Sequence, residues 1–197
     1  VAKLDHMEPV NAAAFGPNAE LVAVAVSGPT DRMIRLRRRD NTQLARAIDM
    51  GVPIPLSVLW APPGNRLYVP LTDKTVRVYD PGSGAHVATL SGHADWVYGM
   101  ALSPDGAKLA TASADGTVKL WNTAENRLLA TLVQVTPRTE EWLIVATPGY
   151  LAASSLGAVQ CRAANLTTPP DKIPGVLQNA ELVKKAMEEG APGGGFS

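Results

Sequence analysis

The sequence predicts an all-β protein made of successive four-stranded antiparallel sheets. Three observations lead there. A repeat of 42 residues runs through most of the chain. Each copy holds four short apolar runs bounded by turn residues. No long window before residue 175 keeps the 3.6-residue period of an amphipathic helix. Asp31, Asp73 and Asp115 lie 42 residues apart at each step, as do Leu36, Val78 and Leu120, and Ile48, Leu90 and Leu132. Pro17, Pro62 and Pro104 are separated by 45 and 42 residues, the longer step reflecting extra residues around Ser27-Gly28-Pro29-Thr30.

Each copy reads alike. The first run meets a turn at Ala13-Ala14-Phe15-Gly16-Pro17, Val58-Leu59-Trp60-Ala61-Pro62 and Met100-Ala101-Leu102-Ser103-Pro104. The second spans Leu21 to Val26, Leu67 to Leu71 and Leu109 to Ser113. A tight turn carrying Asp leads to the third, Ile34-Arg35-Leu36, Val76-Arg77-Val78 or Val118-Lys119-Leu120. A polar turn precedes the fourth, which ends at Ile48, Leu90 or Leu132. Four alternating strands between turn residues make an antiparallel sheet. Such a sheet buries neither face alone, and radial stacking covers the faces, which is a β-propeller.

A fourth, degenerate copy follows at about 141–165. Trp142 to Pro148, Leu151 to Ser154 and Ala158 to Arg162 match the first three runs, and the fourth run is missing. At the other end, Val1-Ala2-Lys3-Leu4 lines up with Val87-Ala88-Thr89-Leu90 and reads as a fourth strand with no sheet before it. Residues 1–4 therefore either close a ring on the last sheet, satisfying two open edges, or mark a cut inside a longer propeller. Within 166–190, Asn179 is an N-cap and Gly190 a stop for one short helix. Its stripe of Leu182, Val183, Ala186 and Met187 is expected to dock on the last sheet, and 191–197 to be a loose tail.

The third copy resembles the WD-repeat β-propeller family. The residues are Gly92-His93-Ala94-Asp95-Trp96-Val97, then Leu102-Ser103-Pro104-Asp105-Gly106, then Leu109 through Asp115-Gly116 to Leu120-Trp121-Asn122, where the family's closing Trp-Asp has become Trp-Asn. The likeness covers about residues 1–165, with copies near 5–50, 51–92, 93–134 and 141–165. It implies a non-catalytic scaffold that binds protein partners. Residues 141–190 are also similar to the closing segment of large bacterial WD-repeat proteins. That likeness implies an alternative: a structural C-terminal module of a bigger bacterial enzyme or redox protein whose catalytic domain lies elsewhere.

The resemblance assigns His93, Ser113, Asp115 and Trp121 to a buried hydrogen-bond chain: the Trp121 indole to Ser113, Ser113 to His93, and His93 to Asp115. The same residues could be drawn as a Ser-His-Asp nucleophilic triad; the structural chain is the expected role. Asp95 and Trp96 stand where the chain enters a sheet from the top rim, with Arg32 and Lys74 at the corresponding turns of other copies, and these four are the expected partner contacts; the alternative for Trp96 is packing against a neighbouring sheet.

Composition bounds the rest. Lys+Arg and Asp+Glu are 18 each, so the net charge gives no pull toward polyanions. Arg32, Arg35, Arg37, Arg38 and Arg39 form the one basic cluster, flanked by Asp31 and Asp40; without interleaved aromatics it is not a nucleic-acid stripe, and it is read first as a solvated edge of the first sheet, with contact to an anionic protein partner as the other reading. No apolar run approaches the roughly 18 residues of a spanning helix, so no membrane role is expected. His6, His86 and His93 lie in different copies without ligand spacing, and the glycines at 82–84 and 193–195 lack a strand–turn–helix setting; no metal, cofactor or catalytic residue is expected. The lone Cys161 forms no intrachain disulfide and is read as a small strand residue. Seven copies would need about 294 residues, more than the 197 here. Three closures fit: part of a longer propeller, a homodimer sharing one ring, or four sheets closing alone.

Overall fold

A computed structural model describes residues 8–29, 31–62, 65–134, 142–147, 150–153, 161–163, 166–168, 177–178, 183–184 and 187. Residues 1–4, most of the expected helix and the tail lie outside these. The chain divides into two compact units, Val1–Asp115 and Gly116–Ser197.

The first unit holds two four-stranded antiparallel sheets in sequential order. One is β1 (Val10–Phe15), β2 (Leu21–Ser27), β3 (Arg32–Arg38) and β4 (Leu44–Asp49). The other is β5 (Leu59–Ala61), β6 (Arg66–Pro70), β7 (Val76–Tyr79) and β8 (His86–Leu90). An antiparallel pair follows, β9 (Val97–Leu102) with β10 (Lys108–Ser113). Every strand falls on one of the apolar runs read from the sequence.

The period of two sorts side chains onto two faces. On β2, Ala23 and Ala25 share a face with Ile34 and Leu36 of β3 and Ile48 of β4, as the strand registers require. These five are buried together with Leu67, Val69 and Leu71. The apolar face of the first sheet therefore packs on the second. The alternate residues Val22, Val24 and Val26 form a separate buried cluster on the other face. First strands lie beside first strands: β1 neighbours β5, and β5 neighbours β9. This is the radial stacking that the repeat called for.

The turns carry their own chemistry. At Ser103-Pro104-Asp105-Gly106, the Ser103 hydroxyl donates to the Asp105 carboxylate at 2.5 Å, the Ala107 N–H adds a second bond, and Gly106 takes φ 71°. The Ser103 bond, then the Ala107 N–H, holds the Asp105 carboxyl below its ordinary value. The Ser83 N–H and hydroxyl do the same for Asp80. A carboxylate lowered by folding adds stability above its unfolded pKa of about 3.9, and that stability is lost as pH falls through the lowered folded value. An Asp80→Asn/Asp105→Asn variant should therefore be less stable than the parent at pH 7. The gap should narrow as pH falls below about 3.9, the unfolded carboxylate value, as urea melts across a pH series would show.

In the second unit, β11 (Thr117–Asn122) pairs with β12 (Arg127–Gln134). Here the fourth copy departs from the expected separate sheet. β13 (Trp142–Ala146) runs antiparallel along β12, with Leu132 opposite Ile144, and β14 (Tyr150–Ala153) follows it. An edge strand such as β12 offers a row of backbone groups to any extended neighbour, and the apolar run at 142–146 takes them. The third run of that copy does not join β14. β15 (Cys161–Ala163) pairs instead with β16 (Leu166–Thr168), and β17 (Leu177–Gln178) lies parallel to β14. Val183, Lys184 and Met187 have helical backbone. Val183 is buried with Ala130 and Ala146, and Met187 packs beside Leu132 and Ile144. These two residues of the expected stripe do meet the sheet of this unit.

Candidate functional site

The rim formed by the β2–β3, β6–β7 and β10–β11 turns, with the loops entering β5 and β9, carries the 42-residue spacing of aspartates. At the third of these, His93 sits on the β8–β9 loop with its side chain 2 % exposed. Its Nδ1 lies 2.9 Å from Asp115 Oδ2. A carboxylate only accepts, so Nδ1 donates to it, and with the ring neutral Nε2 is an acceptor. Nε2 lies 2.8 Å from Thr111 Oγ1, which then donates to it. The same Asp115 oxygen accepts the Ala94 N–H at 2.8 Å, and the Ala114 N–H donates to the Trp96 carbonyl at 2.9 Å. One carboxylate thus ties the loop before β9 to the turn after β10.

Ser113 is not the link to His93 that the sequence suggested. Its hydroxyl donates to the Asp95 carbonyl at 2.9 Å and accepts the Asp115 N–H at 3.1 Å. Thr111 and Ser113 are two apart, so a strand period of two puts both on one face. A bulge in the β9–β10 register between Ala112 and Ser113 separates their roles. Ser113 turns to the loop backbone, and fully buried Thr111 meets His93. Trp121, on β11, is buried at 3 % exposure. Thr111→Val should cost about 1–3 kcal/mol, because it leaves a buried ring nitrogen without its donor. Ser113→Ala should cost less than about 1 kcal/mol. Chemical denaturation of the two variants would rank them.

The first two copies keep the aspartate and change its partner. Asp73 accepts the Thr75 hydroxyl at 2.6 Å and pairs with Arg77 at 3.0 Å, and Arg77 also donates to the Met50 carbonyl at 2.9 Å. Asp31 pairs with Arg35 four residues on. Sequence reasoning noted that the second copy has Asp73 without a histidine and that the first has Asp5-His6 in place of Gly-His, and it paired neither aspartate with an arginine. The available signal was an arginine four residues after each aspartate, in the place of Lys119 after Asp115.

Three of the four expected contact residues lie in these loops, and Arg32 opens β3. Asp95 and Trp96 are both exposed, Trp96 at 44 %, and the Asp95 carboxylate caps the Trp96 N–H at 2.7 Å. Tyr98, 54 % exposed, meets the Trp96 ring edge-on with centroids 6.2 Å apart; sequence reasoning had not singled it out. Lys74 is exposed with φ 73°, at the position where the third copy has Gly116 with φ 80°. Arg32 is less available, since its guanidinium donates to the Val52 carbonyl.

Stacked four-stranded sheets with a His–Asp clamp at the strand entry define a class of repeat protein. Residues 84–122 match the WD domain, G-beta repeat model. That span takes in β8 through β11, so the sequence repeat is offset by one strand from the sheets. The chain therefore carries a WD repeat at 84–122 and is similar to WD-repeat proteins over a longer stretch. It is 31 % identical over 120 residues to the B-type cell cycle switch protein ccs52B of Medicago truncatula, covering 60 % of this chain and 24 % of that protein. It is 34 % identical over 130 residues to the WD repeat-containing protein VIP3 of Arabidopsis thaliana, covering 64 % and 40 %. The crystal structure of RRP9 WD40 repeats superposes with a TM-score of 0.62 at 21 % identity, over 73 % of this chain and 46 % of that one. The chain therefore spans less than half the length of these proteins. The relatives named are eukaryotic and give no support to a bacterial origin.

Proposed function

We propose that the chain is a non-catalytic scaffold that binds a protein partner through this rim, with Trp96 as the anchor and Asp95 and Lys74 beside it. Arg32 serves at the edge of the contact. The observation that carries this is the half-exposed Trp96, held against Tyr98 on a loop whose backbone is fixed through Asp115 and Ser113. A rigid exposed aromatic is the side chain that anchors interfaces at low entropic cost. The geometry also speaks against nucleophilic catalysis. His93 uses both ring nitrogens on Asp115 and Thr111, and Ser113 is bonded to a backbone carbonyl rather than to the imidazole. Lys74 adds support, because a side chain held in the left-handed region costs about 1 kcal/mol where glycine would relieve it. Lys74→Gly should raise stability by up to about 1 kcal/mol and weaken partner binding.

The test is cross-linking capture with the intact chain from its source cells. Trp96→Ala and Asp95→Arg should lose a defined set of partners that Arg39→Glu retains, at unchanged melting temperature. Equal capture by all three would remove the rim from the account. The alternative, a structural C-terminal module of a larger bacterial enzyme or redox protein, draws on the short span relative to the matched proteins. A catalytic domain encoded upstream in the same reading frame would favour it.

A further inference from the structure

The β1–β2 and β3–β4 turns lie at the end of the first sheet opposite the rim, and they create a second surface. A pocket of about 260 Å³ has Ala13, Phe15 and Val22 among its walls, together with Arg37, Arg38 and Arg39. Phe15 is 64 % exposed, although Val24 and Val26, farther along the same face, are 2 % and 0 % exposed. The arginines are short of partners. Among the described residues, the exposed Arg38 and Arg39 side chains make no ion pair or hydrogen bond, and Glu20 and Asp40 of the same turns do not pair with them. Arg37 donates one N–H to the Thr42 carbonyl at 2.9 Å, while its Nε is buried without an acceptor.

We propose that this pocket receives an apolar side chain from an acidic segment of a protein partner. An aromatic wall under a charged rim has the form of an interface hot spot, where an apolar group is buried and the surrounding polar groups exclude water. Three guanidinium groups beside it call for carboxylates. Other occupants fit less well. Val24 and Val26 are already covered, so a further sheet has little apolar area left to bury, and it would have to desolvate unpaired arginines. A second copy related by two-fold symmetry would bring the same three arginines against their mates.

Fluorescence anisotropy on the intact chain tests this with a labelled synthetic peptide in which one central Leu is flanked on both sides by glutamates. Binding should be saturable. It should weaken about tenfold or more in Phe15→Ala and in Arg38→Glu/Arg39→Glu, when Ser replaces the Leu, and as salt rises. Both variants change exposed side chains, and a thermal melt would confirm their fold. Trp96→Ala should bind the peptide like the parent, which separates this site from the rim. No saturable binding would overturn the proposal. So would equal binding of the Ser peptide with Phe15→Ala unaffected, which is general charge attraction. A doubled mass in light scattering that Phe15→Ala abolishes would assign the face to a second copy instead.

Discussion

Leu67→Ala is expected to destabilise the protein by about 3–5 kcal/mol. Leu67 is fully buried on β6, within the cluster that joins the first two sheets. Leu-to-Ala changes in cores cost about 2–5 kcal/mol, depending on how well the site can collapse. Here the first sheet contributes Ala23 and Ala25 to the same cluster, and alanines have no side chain to swing into a void. Strand backbones held by hydrogen bonds on both sides move little. The cavity should stay open and place the loss in the upper half of the range. Urea unfolding should show a lower midpoint with an unchanged slope. A loss below about 1 kcal/mol would mean that the two sheets are not joined through this cluster.

Asp115→Ala is expected to cost about 2–4 kcal/mol. The carboxylate accepts from His93 Nδ1 and from the Ala94 N–H. Removing it leaves a buried imidazole N–H and a backbone N–H without their acceptor, each worth about 1–3 kcal/mol when unsatisfied. Water reaching the loop side of Ala94 offsets part of this, which sets the upper bound. Asp115→Asn should recover part of the loss, because the amide oxygen can still accept. The effect of Thr111→Val should shrink when Asp115 is already Ala, since both substitutions act on one imidazole. Additive losses in that double variant would contradict a shared network.

The architecture was largely legible in the sequence because the repeat fixes turn residues and alternation at once. Asp31, Asp73 and Asp115 fall at the same place in each copy, and each strand between them appears where the apolar runs lie. The polar clamp was only half legible. The resemblance to WD repeats implies the His93–Asp115 pair, but alternation cannot choose between Thr111 and Ser113, and the bulge that decides between them leaves no mark in the apolar pattern. Arginine clamps in the first two copies were missed for a different reason. A histidine reaches its aspartate across a loop, whereas Arg35 and Arg77 reach back to Asp31 and Asp73 from the strand that follows each aspartate. The fourth copy shows the limit of pattern alone. Apolar strands at 142–146 and 150–153 were read correctly, but whether they stack or extend an edge depends on which neighbour offers free backbone groups.

The central claim is that Asp115 fixes the loop that presents Asp95 and Trp96, while the stacked sheets hold without it. Hydrogen exchange of the intact chain, with and without Asp115→Ala, tests this most directly. In the parent, β2, β3, β6 and β7 should exchange slowly. The substitution should speed exchange at Ala94 to Trp96 and at Ala114 while leaving β2 and β3 protected. Fast exchange throughout β6 and β7 in the parent would contradict the account. So would a loss of protection in the first sheet as large as that in the loop.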